Sequence, residues 1–236
     1  MPNKKIVVLT GAGVSAESGL STFRDSGGLW DGFDVNEVAS IDGWHKKPQK
    51  VLDFYNLRRI QAAKALPNLA HLHLKKLEEN FEVVIVTQNV DDLHERAGSS
   101  NVIHLHGKLS EARSEVDPYE IIEIGINNIN IGDISKDGTQ LRPAIVWFGE
   151  MVPMIEIAAH EVSTSDILIV IGTSLAVYPA AGLIHYAKNE IRKIIIDPSK
   201  PELISLSGWE HIPKRATEGV PELVNDLINT ILNERT

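Results

Sequence analysis

The chain has 236 residues, 43% of them hydrophobic, and a formal net charge of −9. That length and apolar share allow one large domain, or one domain carrying a smaller insertion. With no cysteine at all, disulfides, a thiolate nucleophile and cysteine-based zinc sites are excluded, and an acidic balance without a long basic run gives no nucleic-acid footprint.

Basic residues precede the first apolar run, at 6–9, which is too short for a signal peptide and is followed at once by glycines. No segment is long enough to span a bilayer. The expectation is a soluble cytoplasmic protein, a monomer, with no membrane or nucleic-acid partner. The run itself reads as a strand. Gly11-Ala12-Gly13-Val14-Ser15-Ala16 follows it and fits G-x-G-x-x-[GA] between a strand and a helix start. In that pattern Gly11 permits the tight turn and Gly13 lets the backbone approach a pyrophosphate. Ala16 lets a helix pack closely on the sheet, and N–H groups at its start face the anion. The plain alternative is a small-residue turn.

A simple dinucleotide unit should return to a second strand within about 30 residues. Here the next strand pattern is at 81–86. Between them lies a polar, glycine-bearing loop, 21–32, with Phe23, Arg24 and Trp30 available to close over a ligand. Helical spacing follows over 48–65 and 69–77, the second introduced by Pro67-Asn68. Tyr55 and Arg58 sit three apart, on one face of the first helix. A packed tyrosine and a solvated arginine are the ordinary alternative.

The strand at 81–86 ends in Thr87-Gln88-Asn89-Val90-Asp91, and Val102-Ile103-His104-Leu105-His106-Gly107 closes that stretch. An amide pair, a carboxylate and a histidine at strand ends can hold a polyhydroxylated ligand and move a proton on it. Residues 108–142 mix charge, short alternating runs and glycine turns, and read as a β-rich excursion from the main sheet. A strand-like run at 143–150 returns to the core. A helix at 155–162 precedes the most clearly buried strand, 167–171, which ends in Gly172-Thr173-Ser174. A helix opened by 177–181 runs to residue 188. A strand at 194–196 ends in Asp197, and a last helix from Gly219 runs to about residue 232. Strands alternating with helices predict an α/β fold, a parallel sheet covered on both faces.

In this order, Gly11 to Ser15, Thr22-Phe23-Arg24-Asp25, Thr87 to Asp91, His106-Gly107, Val146-Trp147-Phe148-Gly149-Glu150 and Gly172-Thr173-Ser174 resemble the sirtuin family of NAD-dependent protein lysine deacylases, across nearly the whole chain. The resemblance implies a Rossmann-like NAD-binding domain, 1–33, 67–107 and 143–236, and a small domain made by two insertions, 34–66 and 108–142.

It also implies roles. Gly11, Ala12, Gly13 and Ala16 would cradle the pyrophosphate, with Ser15 also in the cofactor set. Phe23 and Arg24 would close over NAD. Asn89 would hold the nicotinamide ribose, Asp91 with the Val90 backbone would bind the carboxamide, and Gln88 would order the ribose face. Gly172, Thr173 and Ser174 would line the adenosine side, with Ala216 added to the cofactor set. His106, with a side-chain pKa near working pH, would be the general base, and Asn89 and Asp91 would share the catalytic work. An acylated lysine peptide would lie as a strand between 148–150 and 175–178, touching Val146, Trp147, Phe148, Gly149, Glu150 and Val177. Products would be free lysine, nicotinamide and O-acyl-ADP-ribose.

The stretch 54–59 resembles the branch that accepts succinyl and malonyl lysine, where a tyrosine and an arginine bind the acyl carboxylate. This places Tyr55 and Arg58 in the substrate site, with Ala39 a candidate for widening the acyl pocket. Two departures stand out. The family's four zinc cysteines are missing, which implies a metal-free module held by Ile121, Ile122, Ile124, Ile126, Ile129 and Ile131. Near Ile195 many members carry an asparagine that contacts the adenosine ribose, which isoleucine cannot do. The alternatives in other classes are a non-catalytic NAD-binding sensor and an enzyme that hydrolyses NAD or transfers ADP-ribose without an acyl acceptor.

Overall fold

Runs of β-branched residues build the centre of the molecule, a computed structural model that describes residues 4–21, 29–30, 33–200 and 207–234. The first half comprises β1 (Lys5–Thr10), β2 (Leu29–Trp30), β3 (Phe33–Asp34), α1 (Val35–Val38), α2 (Ile41–Lys46), α3 (Pro48–Lys64), α4 (Leu69–Leu77), β4 (Glu82–Thr87), α5 (Leu93–Arg96) and β5 (Val102–His104). The second half comprises β6 (Gly107–Ser114), β7 (Ile121–Glu123), β8 (Leu141–Ile145), α6 (Ile155–Ser163), β9 (Ile167–Ile171), β10 (Arg192–Ile196), β11 (Glu210–Ile212) and α7 (Ala216–Glu234).

The main sheet has the order β11-β10-β9-β1-β4-β5, and every pairing in it is parallel. Alternate side chains point to opposite faces. Ile6, Val8, Ile85 and Ile169 meet Leu74 and Leu77 of α4 and Val220 to Ile231 of α7 on one face. Val7, Leu9, Val84 and Leu168 meet Ala158 and Val162 of α6 on the other. This is the expected α/β fold with helices on both faces. β1 pairs with β4 on one side and β9 on the other, so the chain direction across the sheet reverses at β1. Ligand clefts in open α/β sheets form at such a switch point. The registers Thr10↔Thr87 and Thr10↔Ile171 bring three strand ends into one row there.

A second sheet, β7-β6-β8, is antiparallel. It packs with α1, α2 and α3 around Trp44, Phe54, Tyr55 and Trp147. Helix α3 grips it by polar contacts as well. The Asn56 amide bonds both ways with the backbone of Ile129, at 2.9 and 3.0 Å, and Arg59 donates to the Leu109 carbonyl at 2.6 Å.

Several expectations need correction. After β1 there are two short 3-10 turns (Ala12–Val14 and Ala16–Ser18), not a helix. Gly19, at φ 87°, ends the second of them in the left-handed region. The segment expected as a helix to residue 188 is a 3-10 stretch, Ala180–Tyr186. Residues 143–145 join the small sheet rather than the main one. The last helix starts at Ala216, with Pro221 inside it.

The isoleucine account of the small module fails for most of its residues. Only Ile129 is fully buried, while Ile121, Ile126 and Ile131 are exposed. A polar knot closes the module instead. The Asp137 carboxylate accepts hydrogen bonds from the hydroxyls of Ser114, Ser135 and Thr139 and from the Thr139 backbone N–H. Ser114 Oγ in turn accepts from the N–H groups of Val116 and Asp117. Those donors hold the Asp137 carboxyl below the usual carboxylate range.

Candidate active site

The row of strand ends is packed too tightly for side chains at three glycines. A Cβ on Gly13 would lie 2.6 Å from the Gly172 Cα, and one on Gly11 would lie 2.7 Å from the Thr173 Cβ. Gly13 N–H donates to Gly172 O at 2.9 Å, and Gly11 N–H to Ile171 O at 3.1 Å. The turn after β1 therefore sits directly on the turn after β9. These glycines are required by that contact, a reason the sequence pattern did not suggest. Gly172 itself has φ 59°.

Beside this floor the turn after β4 carries the polar groups. Asn89 and Asp91 are both buried, with Ser15 buried beside them. The Asn89 amide donates to Ser15 Oγ at 3.1 Å. Gln88 donates to Thr173 Oγ1 at 3.1 Å, linking the turns after β4 and β9. Burial pushes the Asp91 carboxyl above its ordinary value, against opposing bonds from Leu93 N–H and the Ser15 hydroxyl. The Val90 carbonyl is taken by Leu109 N–H at 2.8 Å.

His106 lies at the start of the small sheet. Its Nδ1 is 3.0 Å from the Gln88 carbonyl. A carbonyl only accepts, so Nδ1 carries the proton and Nε2 is the basic atom. Burial pushes the pKa of His106 down, and the bond to Gln88 opposes this. Gly107 turns the chain at φ 79°, where an added Cβ would sit 1.8 Å from the Ala144 carbonyl oxygen. The histidine is thus anchored between both sheets.

The substrate-side residues divide. Phe148 is 48% exposed and Met151 90%, while Val146 and Val177 are partly covered. Trp147 and Glu150 face inward and act as a frame. Glu150 accepts from Arg142 at 2.7 and 3.0 Å, from Arg113 at 2.9 Å and from the Trp147 N–H at 2.8 Å. The Arg142 guanidinium lies 3.3 Å from the Trp147 ring centroid. Phe148 N–H donates to Ala39 O at 2.9 Å, so one edge of that segment is already paired. Gly149 has φ 92°.

Tyr55 and Arg58 are both buried on α3. The Tyr55 hydroxyl accepts from Trp147 Nε1 at 2.9 Å. Burial pushes the Tyr55 pKa up, and the cations of Arg142 and Arg58 pull against it. Ala39 is buried in the same cluster.

On the adenosine side, Thr173 is buried and Ala12, Ala16 and Ser174 are partly covered. Ala216 opens α7 with its side chain in the core, so only its backbone could face a ligand. Ile195 is fully buried in the middle of β10 and is the wrong position for a ribose contact. The polar residue at that strand's end is Asp197, whose Oδ1 accepts from Ser199 N–H at 2.8 Å. An acidic residue just past a strand end was the signal that could have found it. Phe23 and Arg24 lie outside the described residues. Among the described residues no group of three or more His, Asp or Glu side chains is placed to hold a metal, and no helix is long and apolar enough to cross a membrane.

The Sir2 family profile matches residues 11–179. An NAD-dependent protein deacylase of Bacteroides thetaiotaomicron is 51% identical over 230 residues, covering 95% of this chain and 98% of that protein. A solved Sir2 homolog–NAD complex superposes with a TM-score of 0.86 at 40% identity, covering 97% of this chain and 91% of that one. An ADP-ribose complex of a mutant Sir2 homologue gives a TM-score of 0.88 at 39% identity, covering 97% and 94%.

Proposed function

The chain belongs to the Sir2 family, and from that premise we propose that it is an NAD-dependent protein lysine deacylase whose acyl range includes succinyl and malonyl groups. The observation that carries this is the meeting of Ser15, Asn89, Asp91 and His106 beside the glycine floor of Gly11, Gly13 and Gly172. The cofactor fits that arrangement. Ala12 and Ala16, partly covered beside the packed glycines, can line a pyrophosphate, and the buried amide and carboxylate match a ribose hydroxyl and a carboxamide.

NAD, when bound, supplies an electrophilic ribose carbon with nicotinamide as the leaving group. The protein's own groups do the rest. Asn89 orients a ribose hydroxyl. Asp91 accepts from the carboxamide, and Gln88 joins the two turns that flank the sugar. Nε2 of His106 takes a proton from a ribose hydroxyl, with Nδ1–H fixed by Gln88. A base whose pKa burial lowers stays neutral at working pH. Asp197 serves the adenosine side in place of the asparagine sought at Ile195.

The acyl-lysine enters between Phe148 and Val177. Tyr55 and Arg58 meet a carboxylate at the acyl end, Arg58 by charge-assisted bonds. The acidic, cysteine-free composition supports a cytoplasmic setting, and we take the working unit as a monomer. The test is mass spectrometry of acetyl, malonyl and succinyl versions of one peptide with NAD. Deacylated peptide and O-acyl-ADP-ribose are expected. Nicotinamide release without any acyl peptide would favour NAD hydrolysis, and no release at all would leave only the sensor.

A further inference from the structure

We propose that His104 is a positioning residue of this reaction: an imidazolium held between the Asn89 carbonyl and the Glu95 carboxylate, which keeps the Asn89 turn in place. The proposal rests on the deacylase reading only for its kinetic arm.

His104 ends β5, and His106 lies two residues on, in the bend that leads into β6. Each places Nδ1 3.0 Å from a carbonyl oxygen, His104 at Asn89 and His106 at Gln88. Consecutive carbonyls of the catalytic turn therefore rest on two histidine rings. The rings differ at Nε2. For His106 no hydrogen-bond partner of Nε2 occurs among the described residues. For His104, Nε2 lies 2.7 Å from Glu95 Oε1, and its side chain is only 7% exposed.

A carbonyl and a carboxylate both accept, so both ring nitrogens must donate. The ring that satisfies both is the doubly protonated one. The separation from Glu95 matches a charge-assisted bond. Glu95 Oε2 is buried without a hydrogen-bond partner, so His104 is the main neutralising contact of that carboxylate. Burial pushes the Glu95 carboxyl up most strongly, but the hydrogen bond and charge of His104, a backbone bond and the Lys108 cation together hold it below its ordinary value.

Other charges face this pair. Asp91 from the catalytic turn and His94 from α5 feel His104, and Lys108 from β6 feels Glu95. A positive ring here also steadies the anionic form of Asp91. Without a second N–H on the ring, one hydrogen is left for two acceptors. The carboxylate, being charged, keeps it. The Asn89 carbonyl then loses its donor, and the turn that carries the Asn89 amide and Asp91 loosens.

Two measurements decide this. Long-range 1H–15N spectra of the histidine rings in the ligand-free wild-type protein at pH 7 should show one ring protonated on both nitrogens, with that signal gone in His104→Gln. Only singly protonated rings would overturn the proposal, whatever the enzyme turns over. In kcat at pH 7, Glu95→Gln should cost several-fold, since it removes the carboxylate that keeps both ring nitrogens donating. His104→Gln still offers the Asn89 carbonyl a donor, so it should retain most of the activity. His104→Ala should lose about tenfold, the size of one charge-assisted bond. A His104→Ala enzyme as active as the wild type, or a His104→Gln enzyme no better than His104→Ala, would also overturn it.

Discussion

The Trp147 indole N–H donates to the Tyr55 hydroxyl at 2.9 Å, which ties helix α3 to the segment leading into Phe148-Gly149-Glu150. Tyr55 accepts this bond with one lone pair and can still donate its own O–H. One turn along the helix, Arg58 brings a cation to the same buried cluster. An acyl chain ending in a carboxylate would meet both. Arg58→Met should therefore lower kcat/KM for a succinyl peptide by about a hundredfold, the scale of a lost charged hydrogen bond, and leave the acetyl peptide within a few-fold. Equal losses on both peptides would remove Arg58 from acyl selection.

His106→Ala should lower deacylation by about 10²–10⁴-fold, the range for a general base, while NAD binding by calorimetry stays close to wild type. Because burial lowers the His106 pKa, the base remains neutral below the usual histidine value of about 6.5. The acid limb of kcat should accordingly fall below that pH. A limb above it would contradict the buried, neutral ring.

The same sign applies to stability. His71 is fully buried and its pKa is lowered by burial to about 4, and His94 is lowered well below its ordinary value. Groups with depressed folded values give stability that is complete above the unfolded pKa of about 6.5 and is lost as pH falls through the folded one. His71 alone accounts for roughly 3 kcal/mol across that span, at 1.36 kcal/mol per pKa unit. Tm should drop steeply between pH 6.5 and 4, and His71→Gln should flatten the slope. A Tm level through that interval would argue against neutral buried histidines.

Gly107→Ala should fail to fold or lose several kcal/mol. Its φ of 79° and the 1.8 Å approach of a Cβ to the Ala144 carbonyl oxygen act together, and strained backbone alone costs about 1–3 kcal/mol. Urea unfolding measures this, and a loss under 1 kcal/mol would mean that the β6–β8 contact yields easily.

For the polar knot, Asp137→Ala should raise hydrogen exchange across residues 108–142 and leave the main sheet protected. The Asp137 pKa is lowered by its hydroxyl and N–H donors, so its contribution is present above the unfolded value of about 3.9 and declines as pH falls below it. Treatment with a chelator should leave Tm unchanged. A drop in Tm on chelation would show that a metal, not the knot, holds the module.

Much of this was readable in one dimension. Val-Val-Ile-Val and Ile-Leu-Ile-Val-Ile can bury both faces of a strand, so β4 and β9 were evident. Helix α4 was marked at its start by Pro67-Asn68, and Asn68 caps it with a bond from Ala70 N–H at 2.9 Å. The order of Asn89, Asp91 and His106 was enough to suggest proton chemistry on a sugar. What stayed hidden were contacts between residues far apart in the chain. Gly13 meets Gly172, Trp147 meets Tyr55, and Ser114 meets Asp137, across 159, 92 and 23 residues. Local pattern constrains the backbone of a strand or a helix because hydrogen bonds and side-chain period are set by near neighbours. It says nothing about which carbonyl a histidine will find. The tautomer of His106, the inward turn of Glu150 and the placement of Ile195 inside the core were decided only when the strands packed, since burial and partner distance exist only in the folded chain.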